Sequence, residues 1–322
     1  SLYIGIPFCP STCLYCSFTS YPLSAWEKRV DEYLDALEKE IDYTAEQYRE
    51  RHLNTIYIGG GTPTTLAPYQ LDRLIRKIKS SFDLSHLLEF TVEAGRPDSI
   101  TREKLEVLRS HGMSRISINP QTMKQETLEI IGRHHTVEQT VQSFLTAREL
   151  GFDNINMDLI VGLPGEGIEE VEHTMQEVLS LDPDSITVHS LAIKRAARLN
   201  LFKDEYKEMT FTNNQRIMEM TEQYAAKAGM FPYYLYRQKN MKGNFENVGY
   251  AKPEKEGIYN ILIMEEKQSI LALGAGASTK FVMNDRIERA ENVKDIKNYI
   301  ERIDEMIERK KQGYCDYEKN RV

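Results

Sequence analysis

Residues 2–16 read Leu2-Tyr3-Ile4-Gly5-Ile6-Pro7-Phe8-Cys9-Pro10-Ser11-Thr12-Cys13-Leu14-Tyr15-Cys16. The first five form a β-like run, and the loop after them sets three cysteines at a Cys-x3-Cys-x2-Cys spacing. Three thiolates can converge from so short a loop, and thiolate ligation is the ordinary way to hold an iron-sulfur cluster. A four-iron cluster held wholly by protein takes four such ligands. Three leave one iron open to an exogenous ligand, as a catalytic metal keeps a position that a structural metal closes. Structural zinc is the plainer alternative; it needs a fourth donor from the distant Cys315 or a histidine, the nearest in sequence being His52. Mere packing of three small apolar side chains is the plainest.

Beyond this loop, short β-rich runs alternate with long amphipathic stretches through the first two-thirds of the chain, a pattern that yields a parallel sheet with helices outside it. Strands are predicted at Leu2–Ile6, Thr55–Ile58, Glu89–Val92, Arg115–Ile118, Asn156–Val161 and Ser185–His189. Helices are predicted at Trp26–Gln47, Gln70–Ser81, Arg102–Ser110, Glu138–Leu150, Ile168–Leu179 and Asn213–Ala228. Six units suit either an open doubly wound sheet or an incomplete barrel. The polar residues at the strand ends favour the barrel, because Cys9, Gly59–Gly61, Glu93, Gln121, Asp158 and His189 come from several strands and barrel sites gather at that edge. The fold class is therefore α/β, an incomplete (β/α)6 TIM-like barrel spanning 1–230, with a C-terminal extension, 231–322, that covers the active site. In the extension the alternation gives way to an aromatic segment, a β-like Ile261–Met264 run, a glycine pair and a charged helical tail at Val293–Lys311.

The chain has 322 residues and a net charge of −8, which argues against a nucleic-acid partner. No run of about 18 uncharged apolar residues is present, so no membrane span is expected. No leader is visible and the cysteines cluster rather than spread, so a cytoplasmic location is expected.

The loop resembles the signature of the radical S-adenosylmethionine superfamily. Its flanks, with Gly59-Gly60-Gly61-Thr62-Pro63-Thr64, Ile155-Asn156-Met157-Asp158-Leu159-Ile160-Val161-Gly162-Leu163-Pro164-Gly165 and Gly274-Ala275-Gly276-Ala277, resemble the oxygen-independent coproporphyrinogen III oxidase family from Tyr3 to about Ser278. Tyr236–Met241 and Gly243–Tyr250 are most similar to the HemZ-type coproporphyrinogen dehydrogenase branch. The resemblance implies a 4Fe-4S cluster on Cys9, Cys13 and Cys16, and one or two molecules of S-adenosyl-L-methionine. It implies contacts to that cofactor from Tyr3, Tyr15, Gly60, Gly61, Thr62, Glu93, Gln121, Arg133, Asp158, Ala192 and Ser278. The chemistry is consistent: arginine can fork onto a carboxylate, while Asp158 and Gln121 can bond ribose hydroxyls. A surface carboxylate remains the plain account of Glu93, and packing that of Tyr15. No side chain is assigned as a catalytic acid or base.

The resemblance further implies oxidative decarboxylation of coproporphyrinogen III propionates to vinyl groups, with a tetrapyrrole substrate and a low-potential electron donor such as flavodoxin or ferredoxin. Substrate carboxylates would meet Lys194, Arg195, Arg198, Arg237 and Lys239, although a solvated helical face also explains such charges. His189 has no assigned role, and His134-His135 are expected to be supporting residues. One departure matters. Clear oxidases carry a further cysteine two residues after the third, and here that position is Phe18. Its loss is shared with haem-chaperone and haem-degrading relatives, so a haem-binding chaperone and a radical enzyme that methylates or degrades haem stand as alternatives.

Overall fold

The computed structural model describes residues 1–16, 18–192, 210–236, 245–283 and 286–319. Strand β1 (Leu2–Ile6) leads into a short parallel pair, β2 (Phe8–Cys9) and β3 (Tyr21–Pro22), that brackets the cysteine loop. Then follow α1 (Val30–Gln47), β4 (Thr55–Gly60), α2 (Pro68–Ser81), β5 (Glu89–Gly95), α3 (Arg102–Ser110), β6 (Arg115–Ile118), α4 (Gln125–Ile130), α5 (Val137–Glu149), β7 (Ile155–Val161), α6 (Ile168–Ser180) and β8 (Ser185–Ser190). Strands β1, β4, β5, β6, β7 and β8 lie side by side in chain order, all parallel. This is the α/β architecture expected, with all six strands where the alternation places them.

Three more strands extend the sheet to nine. The strand β9 (Phe231–Tyr236) pairs antiparallel with β10 (Asn247–Ala251), which pairs antiparallel with β8; β11 (Leu271–Leu273) joins the far edge, parallel to β1. The segment after residue 230 therefore builds into the sheet. A hairpin, β12 (Ser278–Val282) and β13 (Ile287–Glu291), and helices Ile296–Glu301 and Ile303–Lys319 complete the described chain.

The two faces of the sheet differ sharply. On one face Ile4, Ile6, Ile56, Ile58, Val92, Ile116, Met157, Ile186 and Val188 are buried against Leu34, Leu37, Leu71, Leu74, Ile75 and Phe144 of the helices. The alternate positions are Tyr3, Gly5, Tyr57, Gly59, Thr91, Glu93, Ser117, Asn156, Asp158, Thr187 and His189. Side chains on this second face interact across several strands, Glu93 of β5 with Asp158 of β7 and His189 of β8. In a flat sheet β5 and β8 stand about 14 Å apart. The sheet therefore curls around its polar face, as a partial barrel does.

One element is corrected. Ile261–Met264, expected as β-like, lies within a helix, Ile258–Glu265. The buried Glu89 carboxylate accepts from the Ile258 N–H at 2.6 Å and the Tyr259 N–H at 3.4 Å, capping the helix from another strand. That cap and the packing of Tyr259 outweigh the β-preference of an isoleucine-rich run. Lys194, Arg195, Arg198, Arg237 and Lys239 lie outside the described residues.

Candidate cofactor site

The cysteine loop rises from the C-terminal end of β1 and is stitched to its neighbours through backbone. Gly61 N–H donates to Ile6 O and Thr62 N–H to Phe8 O, both at 2.7 Å, and Leu14 N–H donates to Ile131 O at 2.9 Å. A Cβ on Gly61 would stand 2.6 Å from Phe8 O, so no side chain fits there. Gly60 has φ +112°, and its Cβ would meet Ile6 backbone and the Tyr3 hydroxyl at 3.2 Å. Part of the glycine signature is thus explained by the loop seating on β4.

Each thiol has a polar neighbour. Thr62 Oγ1 donates to Cys9 Sγ at 3.4 Å, Arg96 Nη1 reaches Cys13 Sγ at 3.7 Å, and Cys16 Sγ lies 3.8 Å from Ser20 Oγ. Arg96 is held in turn by a forked pair to Asp98, and it donates to Ser11 O and Oγ. Burial pushes the Cys9 thiol up to about 12, with Cys13 and Cys16 contributing, and burial also raises Cys16. Metal binding must displace those protons. Cys315 is exposed on the C-terminal helix. The neighbours of the thiols are hydroxyls and guanidinium groups. Positive charge beside thiolates suits an anionic cluster better than a fourth ligand would.

Around this loop the strand ends bring the expected residues together. Tyr15 is half-buried against the small apolar cluster of Leu14, Leu128, Ile131 and Leu163, and it bonds with Arg133. Arg133 is 5% exposed, donates from Nη1 to Asn119 O at 2.5 Å and contacts Cys13. Gln121 adopts φ +70°, a left-handed conformation unusual for glutamine, and its backbone bridges to Asp158 and Ile160 of β7. Asp158 accepts from Asn156 Nδ2 at 2.7 Å and faces His189 Nε2 at 3.8 Å. Burial alone would raise its carboxyl, yet His189, Asn156 and Thr187 hold it below the usual range. Tyr57 OH donates to Glu93 Oε1 at 2.5 Å. Burial and the nearby Asp158 carry the Glu93 carboxyl up to about 7 against Tyr57, the Gly60 amide and His189, although the residue keeps some accessible surface.

Two expected residues stand apart. Ala192 lies just past β8, half-buried. Ser278 is exposed at the start of β12, opposite Glu291 in the hairpin. His134 is exposed; His135 is buried against Arg133, where burial drives its imidazole down to about 3.

The residues missed from sequence are Arg96, Tyr57, Asn156, Thr187 and Tyr259. Arg96 and Tyr57 were within reach: one stands three residues after Glu93, the other two residues before Gly59 and on its face. Tyr259 gave no such signal.

The site has an unmet demand for partners. Among the described residues Ser117 Oγ, Asn119 Oδ1, Gln121 Oε1 and Arg133 Nε, on β6 or the segments after it, are buried and lack a hydrogen-bond partner, as do Tyr43 OH, Thr44 Oγ1, both His135 ring nitrogens and Asn213 Oδ1. Native interiors leave few such atoms. Acceptors and a guanidinium N–H in one place fit a ligand that carries both donors and a carboxylate, as the methionine and ribose parts of S-adenosylmethionine do.

The chain is similar to several known proteins. Residues 3–178 match the Radical SAM superfamily. The chain is 47% identical over 315 residues to the oxygen-independent coproporphyrinogen-III oxidase-like protein HemZ of Bacillus subtilis, covering 96% of this chain and 63% of that protein. It is 36% identical to the heme chaperone HemW of Bacillus subtilis, covering 95% of this chain and 76% of that one. The solved structure of coproporphyrinogen III oxidase (HemN) from Escherichia coli superposes with a TM-score of 0.75 at 26% identity, over 95% of this chain and 69% of that chain.

Proposed function

Because this chain belongs to the radical SAM superfamily, and within it to the family of coproporphyrinogen oxidases and their HemZ- and HemW-type relatives, we propose that it converts propionates of coproporphyrinogen III to vinyl groups. The superfamily's cofactors are a 4Fe-4S cluster and S-adenosylmethionine, which together supply the one-electron chemistry that removes a hydrogen atom from an unactivated carbon. Each conversion releases one carbon dioxide and one further electron to an external acceptor, and a low-potential carrier such as flavodoxin or ferredoxin supplies the cluster.

The chain's own residues have distinct tasks. Cys9, Cys13 and Cys16 would hold the cluster, with Thr62 and Arg96 bonded to the first two sulfurs. Glu93 takes the cofactor's ammonium against Gly60, Gly61 and Thr62, and Arg133 offers its free Nε to the carboxylate. Gln121 and Asp158 meet the ribose, while Tyr3 and Tyr15 flank. The segment after residue 230 adds β10 beside β8 and β9 outside it, and it would cover the substrate side.

The likeness to the HemZ-type protein over nearly the whole chain carries this reading. Phe18, 69% exposed beside the cluster loop where clear oxidases have a cysteine, favours a second one: haem carriage without turnover. Anaerobic assay of the reconstituted protein with coproporphyrinogen III separates them. Carbon dioxide and vinyl product support the first reading. Tight haem binding with no product supports the second, and haem consumption overturns both.

A further inference from the structure

Beneath the candidate site, three tyrosine rings stack. Tyr3 of β1 and Tyr57 of β4 are register partners with ring centroids 6.2 Å apart and planes within 13°. Tyr259, from the helix beyond residue 230, lies 4.5 Å from Tyr57 and 6.5 Å from Tyr3, tilted by 22° and 24°. Its helix is fixed to the strand starts by the Glu89 cap, and Arg115 Nη1 holds Lys255 O at 3.1 Å. The three centroids form a triangle, and Tyr57, stacked closely on Tyr259 with Tyr3 alongside, is restricted by its two neighbours.

The Tyr57 hydroxyl spends that rigidity on Glu93, at 2.5 Å from Oε1. Gly59 makes room for the pair: a Cβ there would stand 2.7 Å from Tyr57 Cε1 and 2.9 Å from Glu93 Oε2. We propose that Tyr57 is a positioning residue, its hydroxyl fixing the Glu93 carboxylate to receive the cationic end of the methionine moiety. This rests on the assignment of Glu93 to the cofactor made above. The groups facing Glu93 are Tyr57, Tyr3 and Tyr259 on one side, and Asp158 and His189 on the other. Because Tyr57 donates to it, the carboxylate is favoured over the acid, opposing the burial that holds Glu93 near 7. Loss of the hydroxyl should leave Glu93 protonated to higher pH and cofactor affinity weaker at neutrality.

The test is titration of the reduced, cluster-loaded protein with S-adenosylmethionine from pH 6 to 8.5, following the change in the cluster's EPR spectrum. Tyr57→Phe keeps the stacked ring; it should lose affinity about tenfold at pH 7, the scale of one charge-assisted hydrogen bond. The pH midpoint of binding should move up by about one unit. A packing role alone would not move that midpoint. Tyr57→His, which returns a donor on a ring, should recover part of the loss and guards against a folding artefact. Glu93→Gln should bind weakly with no midpoint in this range. If Tyr57→Phe matches the wild type while Glu93→Gln is weakened, the role given to Tyr57 is wrong. If Glu93→Gln also binds normally, the cofactor assignment falls with it.

Discussion

Two buried polar regions lie on opposite sides of β1, and they are built on opposite terms. Against α1, Glu40 is fully buried and accepts four bonds: from Lys310 at 2.5 Å, Asn292 at 2.8 Å, Gly274 N–H at 2.9 Å and Tyr299 OH at 2.6 Å. Lys310 also donates to Asn292 Oδ1 at 2.7 Å, and Asn292 donates to Gly274 O at 2.8 Å. Beside it Tyr33 OH donates to Gly5 O and accepts from Ala275 N–H. Around the ends of β6 and β7, by contrast, Ser117, Asn119, Gln121 and Arg133 are also buried and each keeps an atom without a partner among the described residues. The first region is a clasp that is complete within the chain. The second leaves atoms that a ligand would satisfy under the proposed function, although Tyr43 OH and Thr44 Oγ1 on α1 also lack a partner among the described residues, so the contrast holds for the Glu40 carboxylate itself.

The contrast can be broken most forcefully at the clasp. Lys310→Met strands a buried carboxylate and should cost about 3–5 kcal/mol in denaturant unfolding, with Lys310→Met/Glu40→Gln recovering a good part of it. A loss near zero would mean that water reaches Glu40 and the clasp is not closed.

At the other region substitutions should stabilise the unloaded protein. A folded-state pKa raised to about 7 means that the Glu93 contribution is fully present below the ordinary carboxylate value and is lost as pH rises through 7. Glu93→Gln should therefore raise the thermal midpoint of cluster-free protein by a few degrees at pH 8 and leave it nearly unchanged at pH 4.5. Equal effects at both would show that Glu93 titrates normally. The smallest effect expected is a gain of about 1 kcal/mol for Ser117→Ala, which deletes an unpaired buried hydroxyl. A loss instead would mean that the hydroxyl is satisfied within the protein.

Much of this was legible in the sequence where the cause was local. The outward isoleucines and valines of β1, β4, β6 and β8 repeat every second residue, and each strand is followed by an amphipathic helix, so the six parallel strands could be placed. Cys9, Cys13 and Cys16 share one loop, and Glu93 and Asp158 sit on inward positions near strand ends. What was hidden depends on partners far along the chain. The Glu40 clasp joins residues more than 230 positions apart, and Tyr259 meets Tyr57 only because Glu89 caps its helix. Ile261–Met264 was misread for the same reason. Strand β10 pairs with β8, β9 with β10 and β11 with β1 without the alternation that marks a βαβ unit, and Tyr233 and Tyr234 obscured the period of β9.

Mössbauer and EPR spectra of the protein reconstituted with iron and sulfide without oxygen test the central claim most directly. Cys9, Cys13 and Cys16 predict a four-iron cluster with one distinct iron whose signal shifts when S-adenosylmethionine is added, and loss of that cluster in the triple alanine variant. A single tightly held zinc ion, or a cluster indifferent to S-adenosylmethionine, would contradict it.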